Sequence, residues 1–239
     1  MYVKNAILSK KKFNLASFQQ HLNISVIASG VLIVPLHSAG ILNINEAIIA
    51  LILGLVGGML PDLDLDYSKP SQIFFQMLSI FSPLILLMYF AKEIPLVYNI
   101  LIWFLMSFFL HFVLRKTLGQ FTTHRGIFHS IPMGVVFAQI ALFISQELLH
   151  QSSSFSSILA FFIFFGFMTH LILDEVFSID IHGMRMKKSF GTAVKLYDKN
   201  NIIGTLILYI LMLVMLKFIP INTEIYIHVF NVLSGIKLF

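Results

Sequence analysis

An all-α, polytopic membrane helix bundle is the fold this sequence predicts, on three observations. Only 11% of the residues are charged and 58% are hydrophobic, where a soluble domain carries about 25% charged residues. Mean hydropathy is +0.89. Several apolar stretches approach or reach the roughly 20 residues that a helix needs to cross a bilayer. The 239 residues hold no internal repeat and no low-complexity linker beyond Ser152-Ser153-Ser154. Residues 1–239 therefore read as one membrane-embedded domain.

Taken in order, residues 1–20 are a basic N-terminal segment with Lys4, Lys10, Lys11 and Lys12. A first apolar run covers about Ile24–Leu42. Lysines ahead of an apolar run have the outline of a secretory signal, but the run is long and no small-x-small site follows, so it reads as a retained span. Ala47–Leu60 is short for a full crossing and contains Gly54, Gly57 and Gly58. Such a segment is tilted, re-entrant, or packed closely on a neighbour through its small residues. Ile73–Ala91, Pro95–Leu114, Ile127–Leu149, Phe155–Val176 and Ile202–Ile219 complete a set of six or seven transmembrane or re-entrant helices. The tail from Glu224 to Phe239 is moderately apolar and suits the interface or the flank of the bundle. The 25 Phe, 7 Tyr and single Trp need no cofactor, because packed and lipid-facing helices account for them.

Composition also excludes. With no cysteine, the chain has no disulfide, no thiolate metal site and no cysteine nucleophile. The formal charge of +5 would indicate nucleic acid only in a soluble basic patch. In this composition the basic residues instead mark which side each loop occupies, and no nucleic-acid partner is expected.

With the N-terminus inside, the inner segments are 1–23, 61–72, 115–126 and the basic loop 177–201. They hold all but three of the 16 basic residues, the exceptions being Lys92, Lys217 and Lys237. The positive-inside bias thus predicts a cytoplasmic N-terminus and seven spans. All six aspartates fall at the same face, as do His21, His124, His129, His170 and His182. Since the topology rests on Lys and Arg alone, this clustering is independent of it.

Three constellations carry the chemistry. Asp62 and Asp64 follow Pro61, which tends to end the preceding helix; in extended or turn geometry they offer carboxylates to a hard cation. The plainer reading is a solvated loop with capping aspartates, and Asp66 carries no separate signal. His170 and Asp174 share one helical face at i and i+4, which suits two ligands to one metal or an oriented histidine; a buried histidine–aspartate hydrogen bond is the plainer alternative. His124 and His129 flank Arg125 and precede Ser130. Imidazole is a common metal ligand and guanidinium recognises phosphate, against the alternative of a basic loop drawn to anionic headgroups. Ionisable groups are costly near lipid, so their convergence at one depth indicates a metal or polar active centre.

These residues resemble the YdjM-like family of inner-membrane-associated, metal-dependent hydrolases. The family pattern is an early His, a G-x-x-x-P-D-x-D segment, an H-R-G-x-x-H-S segment and a later H-x-x-x-D on an apolar helix. Here these are His21, Gly57 to Asp64, His124 to Ser130, and His170 to Asp174, a match over residues 17–195. Glu175-Val176-Phe177-Ser178 matches only loosely the acidic-aromatic-Thr run that follows in the family. The resemblance implies metal ligation by His21, Asp62, Asp64, His124, His129, His170 and Asp174, and a place in the bacterial inner membrane. It also implies a distant similarity to zinc-dependent phospholipase C, which uses a multinuclear zinc cluster.

The expected function is metal-dependent hydrolysis of a phosphoester in a lipid or lipid-linked substrate at the cytoplasmic leaflet. One to three divalent ions are expected, Zn²⁺ first and Mn²⁺ second, since mixed His/Asp ligation suits them better than Mg²⁺. Asp62, Asp64, Arg125 and His129 are the candidate catalytic residues, and Arg125, Ser130, Lys188 and Thr192 the candidate substrate-binding residues. Two alternatives stand beside it. An ion- or proton-coupled transporter would place its ionisable groups toward the midplane in two symmetric halves. A non-catalytic, metal-stabilised scaffold would fill every coordination position with protein.

Overall fold

Glycine and serine decide where the helices of this protein approach one another. Residues 18–64, 69–90, 93–116, 126–180, 185–186, 191, 194–218 and 221–235 are described by a computed structural model. Helix α1 spans Phe18–Ser38 and α2 spans Ile44–Gly57. A 3₁₀ turn, Leu60–Asp64, leads to α3, Lys69–Phe90. Helix α4, Leu96–Phe108, runs on as a π-helical stretch over Phe109–Leu114, and α5, Ile131–Phe143, likewise over Ile144–Leu148. Helices α6 (Ser153–Val176), α7 (Ile202–Phe218) and α8 (Thr223–Ser234) follow. A two-residue antiparallel pairing joins Ile179–Asp180 to Arg185–Met186.

Every apolar run of the sequence is helical, with ends displaced by a few residues. The largest displacement is at α1, which begins at Phe18 rather than Ile24. Its first turns are polar but still form helix, and Gln19 Nε2 donates to Asn23 Oδ1 one turn on, 3.0 Å away. His21 therefore sits on a helix, not ahead of it. Asp62 and Asp64 lie in the 3₁₀ turn, the turn form of the two geometries the sequence allows, because Pro61 has no N–H to continue the α-helical ladder. Helix α2 starts at a reciprocal capping box: Glu46 N donates to Asn43 Oδ1 at 3.0 Å and Asn43 N to Glu46 Oε2 at 2.8 Å.

Among the described residues four helices are long and apolar enough to cross a membrane: Gln19–Ser38, Leu96–Leu114, Ile131–Leu148 and Ser153–Val176. The apolar stretches Ile44–Gly57, Ser71–Ile85 and Ile202–Lys217 are shorter. Helix α6 occupies the centre, against α1, α2, α5 and α8, while α7 packs on α5. Helices α3 and α4 form a hairpin that meets the rest at the 3₁₀ turn. The C-terminal α8 packs on the bundle: Val229 joins Leu36, Leu42, Phe155, Ile158 and Phe162 in one apolar core. Its entry is pinned by Asn222 Nδ2 to Ser154 Oγ (3.1 Å) and Tyr226 OH to the Ser157 carbonyl (3.0 Å).

The tightest contact is between α2 and α6. A Cβ on Gly166 would lie 1.9 Å from the Gly54 carbonyl oxygen, and one on Gly57 would lie 2.2 Å from the Ile163 carbonyl oxygen. On the other flank of α2, Cβ atoms on Gly54 and Gly58 would meet Ser29 Oγ and Ser25 Oγ of α1 at 2.1 and 2.2 Å. In lipid, where apolar surface gains little by leaving the solvent, such close backbone approach is what holds helices together. Gly166→Ala and Gly57→Ala should each destabilise the detergent-solubilised protein by about 1–3 kcal/mol, read as a lowered Tm. Gly30→Ala, which meets nothing within 4 Å, should be neutral or stabilising by up to about 1 kcal/mol.

Candidate metal centre

Four elements deliver five polar side chains to one end of the bundle. Helix α6 contributes His170 and Asp174, one turn apart and both buried. The first turn of α1 contributes His21, and the 3₁₀ turn after α2 contributes Asp62. His129 comes from the turn before α5, closed by its own N–H to the Gly126 carbonyl at 3.1 Å. This turn is why α5 begins at Ile131 instead of Ile127.

The donor atoms converge. His21 Nε2 is 3.4 Å from Asp174 Oδ1, and His129 Nε2 is 3.7 Å from Asp174 Oδ2. Asp62 Oδ1 is 3.6 Å from His170 Nε2 and 3.8 Å from His129 Nε2. The rings of His21 and His170 stack with centroids 3.8 Å apart and planes 12° from parallel, whereas those of His129 and His170 are 5.8 Å apart at 71°. Two groups of three meet the spacing a cation requires: His21, His170 and Asp174, and Asp62, His129 and His170.

His170 supplies the test of whether these residues fit a metal. Its Nδ1 lies 2.7 Å from the Gly58 carbonyl oxygen. An oxygen without a proton can only accept, so Nδ1 carries the hydrogen and Nε2 presents its lone pair. That Nε2 is buried and makes no hydrogen bond. An imidazole whose far nitrogen donates to a backbone carbonyl while the near one is held free is the arrangement of metal-bound histidines. The donor separations run from 3.4 to 3.8 Å. They are close to the ligand–ligand edge of about 3.4 Å in a tetrahedron with bonds of about 2.1 Å.

The surroundings are apolar: Leu60, Leu63, Phe128, Ile163, Phe167 and Leu171 form the adjoining core. Burial makes an uncompensated carboxylate expensive here. The side chain of Asp62 is 19% exposed against 9% or less for the other four, so Asp62 marks the approachable side.

Of the candidates read from sequence, His21, Asp62, His129, His170 and Asp174 are brought together. Ser130 is buried, with its hydroxyl donating to the Ile127 carbonyl at 2.6 Å. Asp64 belongs to the 3₁₀ turn, and its side chain lies outside the described set, as do Asp66, His124, Arg125, His182, Lys188 and Thr192. His111 is in the π-helical stretch of α4, edge-on to Phe112. Three contacts of this region have no counterpart in the sequence reading. The Gly58 carbonyl orients His170. Lys195 accepts the Ile131 N–H through its carbonyl at 2.9 Å, and its ammonium is 3.6 Å from buried Asp198. Glu175 accepts the N–H of Gly191, which turns at φ +78°. The Gly57-Gly58 pair ahead of Pro61 was the available signal for the first; loop contacts such as the other two leave no periodic trace.

Replacing Asp62 or His129 should leave Gly58 and His170 in register, so the helical content of Asp62→Ala in detergent should equal that of the parent by circular dichroism.

No curated protein and no solved structure matches the chain. The model of the family described as YdjM inner membrane protein matches residues 19–226, a span that includes all five converging residues and the four described helices long and apolar enough to cross a membrane. An integral membrane protein with its polar cluster at one end of the bundle, the chain belongs to the YdjM inner membrane protein family.

Proposed function

We propose that the protein is a membrane-bound, metal-dependent hydrolase acting on a phosphoester of a lipid or lipid-linked substrate at the cytoplasmic leaflet. The observation that carries this reading is the His170 lone pair, oriented by the Gly58 carbonyl toward Asp62 inside a ring of imidazoles and carboxylates. His21, His129, His170, Asp62 and Asp174 would hold the ion. Zn²⁺ suits three imidazoles and two carboxylates best, with Mn²⁺ next. Such an ion supplies Lewis acidity toward a phosphoryl oxygen and toward water.

The remaining work falls to the chain itself. Asp174 and His170, on one face of a buried helix, fix the donor geometry against thermal drift. Asp62, on the approachable side, is placed to accept a proton from the attacking water. The apolar wall of Leu60, Phe128 and Phe167 lowers the local dielectric and strengthens every charge interaction within. Arg125, adjacent in sequence to the Gly126 turn, is assigned to a non-bridging phosphate oxygen. The positive-inside bias of the basic loops supports a cytoplasmic position for this end.

The near-complete burial of four of the five donors favours a second reading, a structural metal that ties α1, α2, α5 and α6 together without turnover. Elemental analysis of the detergent-purified protein should find zinc or manganese in stoichiometric amount, lost from His170→Ala and from Asp62→Ala/Asp174→Ala. Metal-free wild type after supplementation with both ions would end either reading. Against phospholipid and phosphoester panels, Asp62→Ala should lose at least about 100-fold in rate. Under the structural reading no substrate turns over, yet Zn²⁺ at 100 times its Kd still stabilises by about 2.7 kcal/mol.

A further inference from the structure

We propose that an apolar cavity bordered by α5, α6, the end of α7 and the start of α8 binds a lipid alcohol, whose hydroxyl donates to Gln139. The cavity measures about 210 Å³, and its wall includes Ala138 and Leu142 of α5, Ala160 and Phe164 of α6, and Leu216 of α7. It is separate from the polar cluster. Phe164 precedes His170 by about 9 Å along α6 and is turned about 120° around the helix from it. Both α5 and α6 are long and apolar enough to cross a membrane. Leu216 and Ile221, in the same wall, are 41% and 38% exposed, so the cavity communicates with the surrounding lipid.

Gln139, also in the wall, is 5% exposed. Its Nε2 donates to the Met212 carbonyl of α7 at 3.0 Å. That oxygen can only accept, which fixes the orientation of the amide. Oε1 is then buried and finds no donor among the described residues. An unmet acceptor at membrane depth is costly, because lipid offers nothing to pair with it. Water is a poor remedy: a buried water needs two to four polar partners, and apolar cavities of about 150 Å³ stay dry yet take up benzene. The donor therefore has to arrive on an apolar molecule. An ester, ether or ketone would only accept, and the Tyr226 hydroxyl in the wall is already committed to the Ser157 carbonyl at 3.0 Å. A charged headgroup would lose its water with no opposite charge in the wall to compensate. A hydroxyl on a hydrocarbon chain satisfies Gln139 and fills the apolar space together.

The test uses the full-length protein in phosphatidylcholine vesicles with a trace of hexadecanol carrying a photoreactive diazirine in its chain. After illumination, mass spectrometry locates the label. It should fall on the segments bearing Phe164 and Leu216, saturate, and be displaced by unlabelled hexadecanol but not by hexadecyl methyl ether, which has no donor. Gln139→Leu keeps the bulk of the side chain and removes the acceptor, so half-displacement should need about fivefold more hexadecanol or beyond. Label spread evenly over the lipid-facing helices, or displacement by the ether as effective as by the alcohol, overturns the proposal. Neither result bears on the polar cluster, whose metal content is read separately. Should Gln139→Leu fail to insert, the comparison of alcohol with ether on the wild type decides alone.

Discussion

The contact between α2 and α6, where Gly166 meets Gly54 and Gly57 meets Ile163 with no side chain between them, is the constraint on which the rest depends. Backbones that touch bring a carbonyl of one helix terminus within reach of the other helix. That is how Gly58, at the end of α2, comes to orient His170 across 112 residues of sequence. The same approach sets the depth at which the 3₁₀ turn presents Asp62. Serines of α1 fit against the opposite flank of α2 and bring His21 to the same level, one and two turns from Ser25 and Ser29. A membrane protein gains little from hiding apolar surface from apolar lipid. Its precision has to come from small residues, and here they stand where the polar cluster needs them.

Given that framework, the electrostatics acquire a direction. Three imidazoles and two carboxylates face one another at 3.4–3.8 Å, with an apolar core behind them. Removing such groups from water is unfavourable unless something compensates, and a divalent cation compensates both carboxylates at once. Membership of the YdjM inner membrane protein family places the chain in a membrane.

Much of this was legible in the sequence, for identifiable reasons. Apolar runs have the length of helices, so each run emerged as one; the polar first turns of α1 were missed because hydropathy does not register Gln19 or Asn23 as helix formers. The shared face of His170 and Asp174 follows from helical periodicity alone. Gly54, Gly57 and Gly58 signalled close packing, though not the partner, since Gly166 is remote and nothing local ties it to them. That Asp62, His129 and His21 would meet was inferred from their common membrane depth. The stacking of His21 on His170 is a property of tertiary packing and has no sequence signature. Nor has the Lys195 carbonyl at the start of α5, which stabilises the turn holding His129.

X-ray absorption at the zinc or manganese edge of the purified protein decides whether His21, Asp62, His129, His170 and Asp174 hold a metal. Ligation by these residues gives nearest neighbours of nitrogen and oxygen, at about 2.0–2.2 Å for zinc, with the outer-shell scattering that rigid imidazole rings produce. A spectrum of a hydrated ion, without imidazole scattering, would contradict it.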